Sequence, residues 1–184
     1  MKKTAKKPLP RSNADVLRLL VTIDPGASGT GVAVFNRHDG MLKACRVFDS
    51  KKISWRDRCN EIVESVDFYV RTRGLTVPDF RILCEYPAFF PTAAGMTSAR
   101  SGALVKLAYL CGRFDESLQS VGKFELVAVA EWKGQASKDI INSRIAKQIP
   151  ESVRSQAGMS SSQSHDWDAV GIGLWWLKQE KSRG

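Results

Sequence analysis

Four side chains able to bind a metal ion lie at the ends of apolar stretches or at the start of a helical segment. Asp24 follows the apolar run 20–23, Glu85 ends a second run, and His165 and Asp168 open a late helical pattern. Carboxylate oxygens are the ligands that hard divalent cations prefer, and neutral imidazole also binds metals. The residue types and their positions therefore predict a divalent-metal site built from separate segments.

The sequence around Asp24 predicts two strands joined by a tight loop. Residues 20–23 and 31–35 have the composition of two strands, and the loop between them is rich in proline and glycine. Gly26 and Gly29 permit positive φ, so the backbone can fold back tightly beside Asp24. Taken alone, this segment suits equally well a hairpin in which Asp24 only begins a turn.

The amino-acid composition limits the classes of protein to which this chain can belong. The 184 residues include 28 lysines and arginines against 19 aspartates and glutamates, a net charge of +9, and 43% are hydrophobic. One globular domain with a nucleic-acid partner is predicted, because cations that neutralise phosphates release condensed counterions. No apolar run of about 18 residues and no signal peptide is found, which disfavours membrane insertion and export.

The cysteines predict a reducing, cytoplasmic compartment. They occupy apolar or helical contexts and show no CxxC spacing, which favours reduced thiols over a zinc site. They are Cys45, Cys59, Cys84 and Cys111. Residues 1–15 carry a cluster of lysine and arginine and are predicted to form a flexible basic arm, with residues 16–184 as one domain.

Apolar periodicity predicts five strands and four helices. The strands are 20–23, 31–35, 41–48, 80–85 and 123–130, and the helices are 54–72, 97–120, 137–148 and 165–179. Short links make the first three strands an antiparallel meander, and helical links make the later ones parallel, so the sheet is mixed. Gly171 and Gly173 predict close packing of the last helix on the sheet. The serine-rich stretch 156–164 is predicted to be mobile.

This order of elements resembles the ribonuclease H-like fold, an α/β fold. The resemblance implies a five-stranded mixed sheet of order 3-2-1-4-5 with helices on both faces. In that fold the first and fourth strands are neighbours, so Asp24 and Glu85 would meet, and a late helix would bring His165 and Asp168.

Three short motifs narrow the resemblance to the RuvC-like Holliday junction resolvases, and in particular to their phage and organellar branches. They are Ile23-Asp24-Pro25-Gly26, Cys84-Glu85 with aromatic and proline residues after it, and His165-x-x-Asp168-Ala169, where the family usually has Asp-x-x-Asp-Ala. Trp132-Lys133-Gly134 is similar to a further segment of those branches. The resemblance implies a homodimeric endonuclease for four-way or otherwise branched DNA, with two Mg²⁺ or Mn²⁺ ions per site, and a phage is one source compatible with it.

The resemblance also implies roles for individual residues. Asp24 would contact both metals, Glu85 one of them, and His165 with Asp168 the other. Lys138, and secondarily Lys133, would stabilise charge on the scissile phosphate.

Asp166 is an alternative to His165, which stands where most members have aspartate. In a regular helix only residues 165 and 168 share a face, and this favours His165.

Contacts to DNA are predicted at five positions. Phe89 and Phe90 follow the Glu85 strand, where a family member stacks an aromatic ring on an unpaired base. Lys133, Arg100 and Lys106 are predicted to contact phosphates. Burial in the core is the competing interpretation for one phenylalanine, and ordinary surface exposure is the competing interpretation for the lysines.

Two other functions are compatible with parts of the pattern. One is a catalytically inactive DNA-binding protein of the same fold, which predicts the loss of an acid. The other is an actin-like or sugar-kinase ATPase, because Asp24 with the glycines, serine and threonine after it also occurs in phosphate-binding hairpins. That fold needs a second such hairpin, and the chain shows no internal repeat.

Overall fold

The computed structural model describes residues 18–74, 79–87, 96–97, 100–161 and 164–183. The strands are β1 Arg18–Asp24, β2 Gly29–Asn36, β3 Leu42–Asp49, β4 Asp79–Tyr86 and β5 Lys123–Ala128. The helices are α1 Trp55–Gly74, α2 Ala103–Leu118, α3 Val129–Trp132, α4 Lys138–Gln148, α5 Glu151–Ala157 and α6 His165–Arg183. The predicted basic arm at 1–15, Phe89 and Phe90 lie outside the described residues. Within the described ranges, no helix has the length and apolar character needed to cross a membrane.

The five strands form one mixed sheet. Its order is β3-β2-β1-β4-β5, with β1, β2 and β3 antiparallel and β4 parallel to both β1 and β5. The central strands β1 and β2 are buried along nearly their whole length, as expected for strands covered on both faces. The predicted α/β fold, strand order and antiparallel meander are confirmed.

Helices cover both faces of the sheet. Val21 and Ile23 of β1 belong to a core that includes buried residues of α1 and α2, whereas Leu20 belongs to a second core with α4 and α6. The period of two along a strand produces this division. The Thr22 hydroxyl, on the second face, donates a hydrogen bond of 2.6 Å to the Ala169 carbonyl. This bond ties α6 to the strand that ends at Asp24.

The glycines of α6 allow close packing, as predicted. A Cβ on Gly173 would lie 2.2 Å from the ring of Phe35 in β2, and one on Gly171 would lie 2.6 Å from the ring of Trp132. Gly173 therefore lets the helix approach the sheet. Gly171 instead accommodates a side chain from α3.

Two predicted boundaries are wrong. The second helix is interrupted at Gly102, whose φ of 71° is left-handed, and α2 begins only at Ala103. Strand β5 ends at Ala128, because the backbone turns there into α3.

The serine-rich stretch 156–164 begins inside a helix. Residues 156 and 157 belong to α5, and Gly158 ends that helix at a φ of 80°. Ser160 makes hydrogen bonds to Asp166 through its backbone N–H and its hydroxyl. Residues 156–161 therefore have defined contacts, and the mobility of 156–164 stays a prediction.

Candidate active site

Asp24 and Glu85 lie side by side at the carboxyl end of two parallel strands. The last pair in the β1–β4 register is Ile23 with Cys84, and the two acids are the next residues on their strands. Neighbouring strands are about 4.8 Å apart. Both acids point toward the face covered by α6, because Thr22 contacts α6 and Glu85 contacts α3. The structure therefore brings these two predicted site residues together.

His165 reaches Asp24 from the first turn of α6. Its Nδ1 lies 2.6 Å from Asp24 Oδ2. Two glycines of the β1–β2 hairpin make room for this approach: a Cβ on Gly31 would lie 2.0 Å from the His165 carbonyl oxygen, and one on Gly26 would lie 2.8 Å from its ring. Neither Gly26 nor Gly29 has positive φ, contrary to the prediction. Gly26 and Gly31 matter here because they carry no side chain, which leaves room for His165.

Asp168 lies one turn further along α6 and faces two lysines. Lys133 Nζ is 3.6 Å from Asp168 Oδ1, and Lys138 Nζ is 3.7 Å from Oδ2. Asp168 Oδ1 is buried and makes no hydrogen bond within the described part of the chain. The two predicted lysines are thus close to the predicted acid, and the ion pairs are too long to satisfy its carboxylate fully.

Trp132 contacts Glu85, and the sequence motifs did not single it out for that role. Its indole Nε1–H donates a hydrogen bond of 2.7 Å to Glu85 Oε2. The short helix α3 places Trp132 against Glu85 and the next residue, Lys133, against Asp168. The adjacency of tryptophan and lysine is visible in the sequence, but the direction of each side chain depends on α3, a short helix that the apolar pattern did not predict.

The electrostatics of the site favour an added cation. Burial raises the pKa of Asp24, and its hydrogen bond to His165 opposes that shift. Burial and the Asp24 charge raise the pKa of Glu85 to about 7, against a weaker opposing effect of the Trp132 hydrogen bond. The hydrogen bond to Asp24 raises the pKa of His165 above 6.5. The titrations of Asp24 and His165 are thus coupled through their hydrogen bond, in a cluster of crowded carboxylates.

Asp166, the alternative to His165, points away from these acids. Only 1% of Asp166 is exposed. Its carboxylate accepts hydrogen bonds from the Ser160 and Trp167 backbone N–H groups and from the Ser160 and Ser164 hydroxyls. These contacts hold the chain entering α6, so Asp166 serves the structure of the first turn, and its neighbour His165 faces the site.

Two of the other predicted DNA contacts, Arg100 and Lys106, are not paired with the acids of the site. Arg100 is exposed ahead of α2, and Lys106 is half-buried in that helix. In the described ranges neither forms an ion pair with Asp24, Glu85 or Asp168. The four cysteines are buried free thiols, as the absence of CxxC spacing predicted.

The carboxylates and the imidazole of the site are of the right chemical type to bind a divalent cation, but they are not grouped around one point. Within the described residues, no three histidine, cysteine, aspartate or glutamate side chains are arranged to hold a metal ion. The carboxylates instead contact protein donors: Asp24 contacts His165, Glu85 contacts Trp132, and Asp168 contacts lysines. The buried, unsatisfied Asp168 Oδ1 and the raised pKa values of the other two acids are the features that a cation would relieve.

Solved structures share this fold. RuvC from Thermus thermophilus in complex with a Holliday junction substrate has a TM-score of 0.60 at 15% identity, over 89% of this chain and 96% of that one. A second Thermus thermophilus RuvC structure gives 0.58 at 15% identity with the same coverage. The yeast mitochondrial Holliday junction resolvase Ydc2 gives 0.45 at 12% identity, over 91% and 83%. No family model and no curated protein sequence matches the chain.

The fold is therefore ribonuclease H-like. Among folds of that class it is RuvC-like, since the Thermus RuvC structures are matched over nearly their whole length. The structural resemblance predicted from the three short motifs is confirmed.

Proposed function

We propose that the protein is a metal-dependent endonuclease that hydrolyses phosphodiester bonds in four-way or otherwise branched DNA. The observation that carries the proposal is the placement of Asp24 beside Glu85 at the carboxyl edge of β1 and β4, facing His165 and Asp168 on α6. Asp168 lies near enough for its charge to act on both of these acids, and the fold is RuvC-like. A purely structural acid cluster would have no reason to remain buried, crowded and incompletely paired.

Asp24, Glu85, His165 and Asp168 would hold two Mg²⁺ or Mn²⁺ ions. Bound there, such ions activate a water molecule and stabilise the leaving 3′ oxygen. Lys133 and Lys138 compete with a cation for Asp168, because both ammonium groups already face its oxygens. When released from Asp168, these lysines are placed to neutralise a phosphate in the same region.

His165 would hold a proton at Nδ1 against Asp24 before metal binds. The 2.6 Å contact stabilises the buried Asp24 carboxylate in the absence of other cations. Loss of that proton leaves a neutral imidazole, the form that ligates metals. This exchange explains how histidine can stand where the family usually has aspartate.

The substrate and the oligomeric state belong to the same proposal. A net charge of +9 suits a polyanion. The RuvC structure with a Holliday junction substrate supports a branched duplex as that polyanion. Symmetric cutting of two strands requires two active sites related by a two-fold axis, so a homodimer is proposed.

Cleavage of a synthetic four-way junction, with and without Mg²⁺, tests the proposal. Wild-type protein should cut the junction only with the metal and should leave a matched linear duplex intact. Asp24→Asn should bind the junction and lose cutting by several orders of magnitude, because it removes a charged ligand at nearly constant size. Asp115→Asn, at an exposed position on α2, is the matched control.

Two results would contradict the proposal. Normal cutting by Asp24→Asn would exclude the assigned site. Junction binding by the wild type without cutting in Mg²⁺ or Mn²⁺ would favour the inactive DNA-binding alternative.

A further inference from the structure

A groove separate from the candidate active site lies between the edge strand β3 and helix α1. It has a volume of about 450 Å³. Its lining includes two arginines, three aromatic rings and two hydroxyl side chains: Arg46, Phe48, Ser65, Phe68, Tyr69, Thr72 and Arg73. Asp49 is the one acidic residue that lines it. The groove is therefore basic and aromatic.

Both arginines are held against aromatic rings. The Arg73 guanidinium carbon lies 3.7 Å from the ring centre of Tyr69, and that of Arg46 lies 5.2 Å from the ring centre of Phe48. The two rings pack edge to face, with centres 5.1 Å apart. Stacking on rings that are themselves fixed restricts the guanidinium groups, so little conformational entropy is lost when they bind an anion.

The donors of these arginines remain largely available. Arg73 donates one hydrogen bond of 3.3 Å to the Tyr69 carbonyl. Across the described ranges, no carboxylate lies within ion-pair distance of Arg46 or Arg73. Other arginines of the sheet are paired: Arg81 contacts Glu125, and Arg37 contacts Glu180. Two guanidinium groups without an ion-pair partner among the described residues thus leave the groove positive, with Asp49 beyond ion-pair distance of both.

Phe68 adds an aromatic surface at the same groove. Its side chain belongs to α1, where most apolar residues face the core, yet it is 71% exposed. A large exposed ring beside two unpaired arginines has the composition of sites that hold a nucleic-acid strand, with phosphates on the arginines and a base or sugar on the ring.

We propose that this groove binds the sugar-phosphate backbone of a DNA arm, outside the site that cuts it. The proposal rests on the proposed function for the nature of the ligand. Arginine suits phosphate because its planar fork offers paired N–H donors.

The location of the groove fits this role. Arg46 pairs with Val32, which pairs with Ile23 beside Asp24. The groove is thus two strand spacings from β1, roughly 10 Å. It opens on the face of α1, whereas the acids face α6. DNA that contacts both regions would have to pass around the edge of the sheet at β3, and the groove would then contribute to affinity but not to the chemistry.

The test compares Arg46→Gln/Arg73→Gln with the wild type. Binding to a labelled four-way junction is measured in Ca²⁺ over a range of salt concentrations, and cleavage is measured in Mg²⁺. The double variant should bind about tenfold more weakly, and its salt slope should fall by about one for each phosphate that is no longer neutralised. The rate at saturating junction should be unchanged, because neither arginine touches the acids. Lys147→Gln/Lys178→Gln removes the same charge from exposed positions on α4 and α6.

Phe68→Ala is an independent variant. It should fold as the wild type does, because the Phe68 ring is exposed. It should weaken binding to the four-way junction about fivefold, whereas the control Met41→Ala, also exposed, should not. Equal affinities and salt slopes for the arginine variant and its lysine control would overturn the inference. Should the arginine variant unfold, Phe68→Ala alone decides between the two outcomes.

The outcome for the groove is separate from the outcome for the active site. If the wild type binds but does not cut, a weaker and less salt-dependent arginine variant still establishes the groove. If cutting is normal and the arginine variant binds no more weakly than its lysine control, the groove is excluded and the active site stands.

Discussion

Trp132 donates its indole N–H to Glu85 across 2.7 Å and packs its ring against Gly171 of α6. The hydrogen bond fixes one carboxylate oxygen of Glu85, Oε2. Gly171 is one turn beyond Asp168, so the same tryptophan contacts the helix that carries the third acid. The relationship makes Trp132 a positioning residue for a proposed metal ligand.

Trp132→Phe should weaken metal binding more than it slows the chemistry. The substitution keeps an aromatic ring against Gly171 and removes the only donor that orients Glu85 Oε2 within the described residues. The Mg²⁺ concentration for half-maximal cleavage should rise about tenfold, as for other residues that orient a ligand, with a smaller change in kcat. Calorimetric titration with Mn²⁺ gives the affinity directly. Trp175→Phe, a half-buried tryptophan of α6, is the control, and an identical response of both variants would exclude the role.

Glu85→Gln should stabilise the metal-free protein at high pH. Because the pKa of Glu85 is raised to about 7 in the folded state, its protonated form stabilises the fold at low pH, and that contribution is lost as pH rises from about 4.5 through about 7. Glutamine stays neutral and keeps an oxygen for Trp132. In a chelator, the gain in Tm over the wild type should be larger near pH 8 than near pH 5. A gain independent of pH would contradict the raised pKa.

His165→Ala and Asp166→Asn should separate activity from stability. His165→Ala should fold and lose most cleavage, because its ring is the one that contacts Asp24. Asp166→Asn replaces an oxygen that accepts a hydrogen bond with an amide that donates one, which costs about 1 to 3 kcal/mol of stability. Asp166→Asn should still cleave the junction at temperatures well below its lowered Tm. Loss of cleavage by a fully folded Asp166→Asn would restore Asp166 as the third ligand.

Gly31→Ala should disturb the site through the backbone of α6. The added Cβ would lie 2.0 Å from the His165 carbonyl oxygen, so the first turn of the helix must move away from Asp24. Stability should fall by about 1 to 3 kcal/mol, and cleavage should fall further than stability alone explains. Gly112→Ala is the matched control, because its Cβ meets open space on α2 and should stabilise that helix by about 0.5 to 1 kcal/mol. Thermal unfolding and junction cleavage report the two effects.

Local patterns in the sequence determined the sheet and the candidate acids. Unbroken apolar runs and short turns predict β1, β2 and β4, because burial of both faces imposes such composition. Asp24 and Glu85 are recognisable because each stands next to one of these runs, and parallel pairing then makes them neighbours. The spacing of His165 and Asp168 follows from helical geometry in the same way.

Tertiary structure alone decided what each of these groups touches. The direction of Trp132 toward Glu85 depends on α3, and the separation of Asp166 from His165 depends on serines that are brought close only when the chain enters α6. The glycines near Asp24 are read in sequence as turn residues, yet their contacts come from a helix more than 130 residues away. Such contacts join segments whose local preferences are independent of each other, so no local pattern can encode them. The sequence thus determined which chemical groups are available, and packing determined which atoms position each of them.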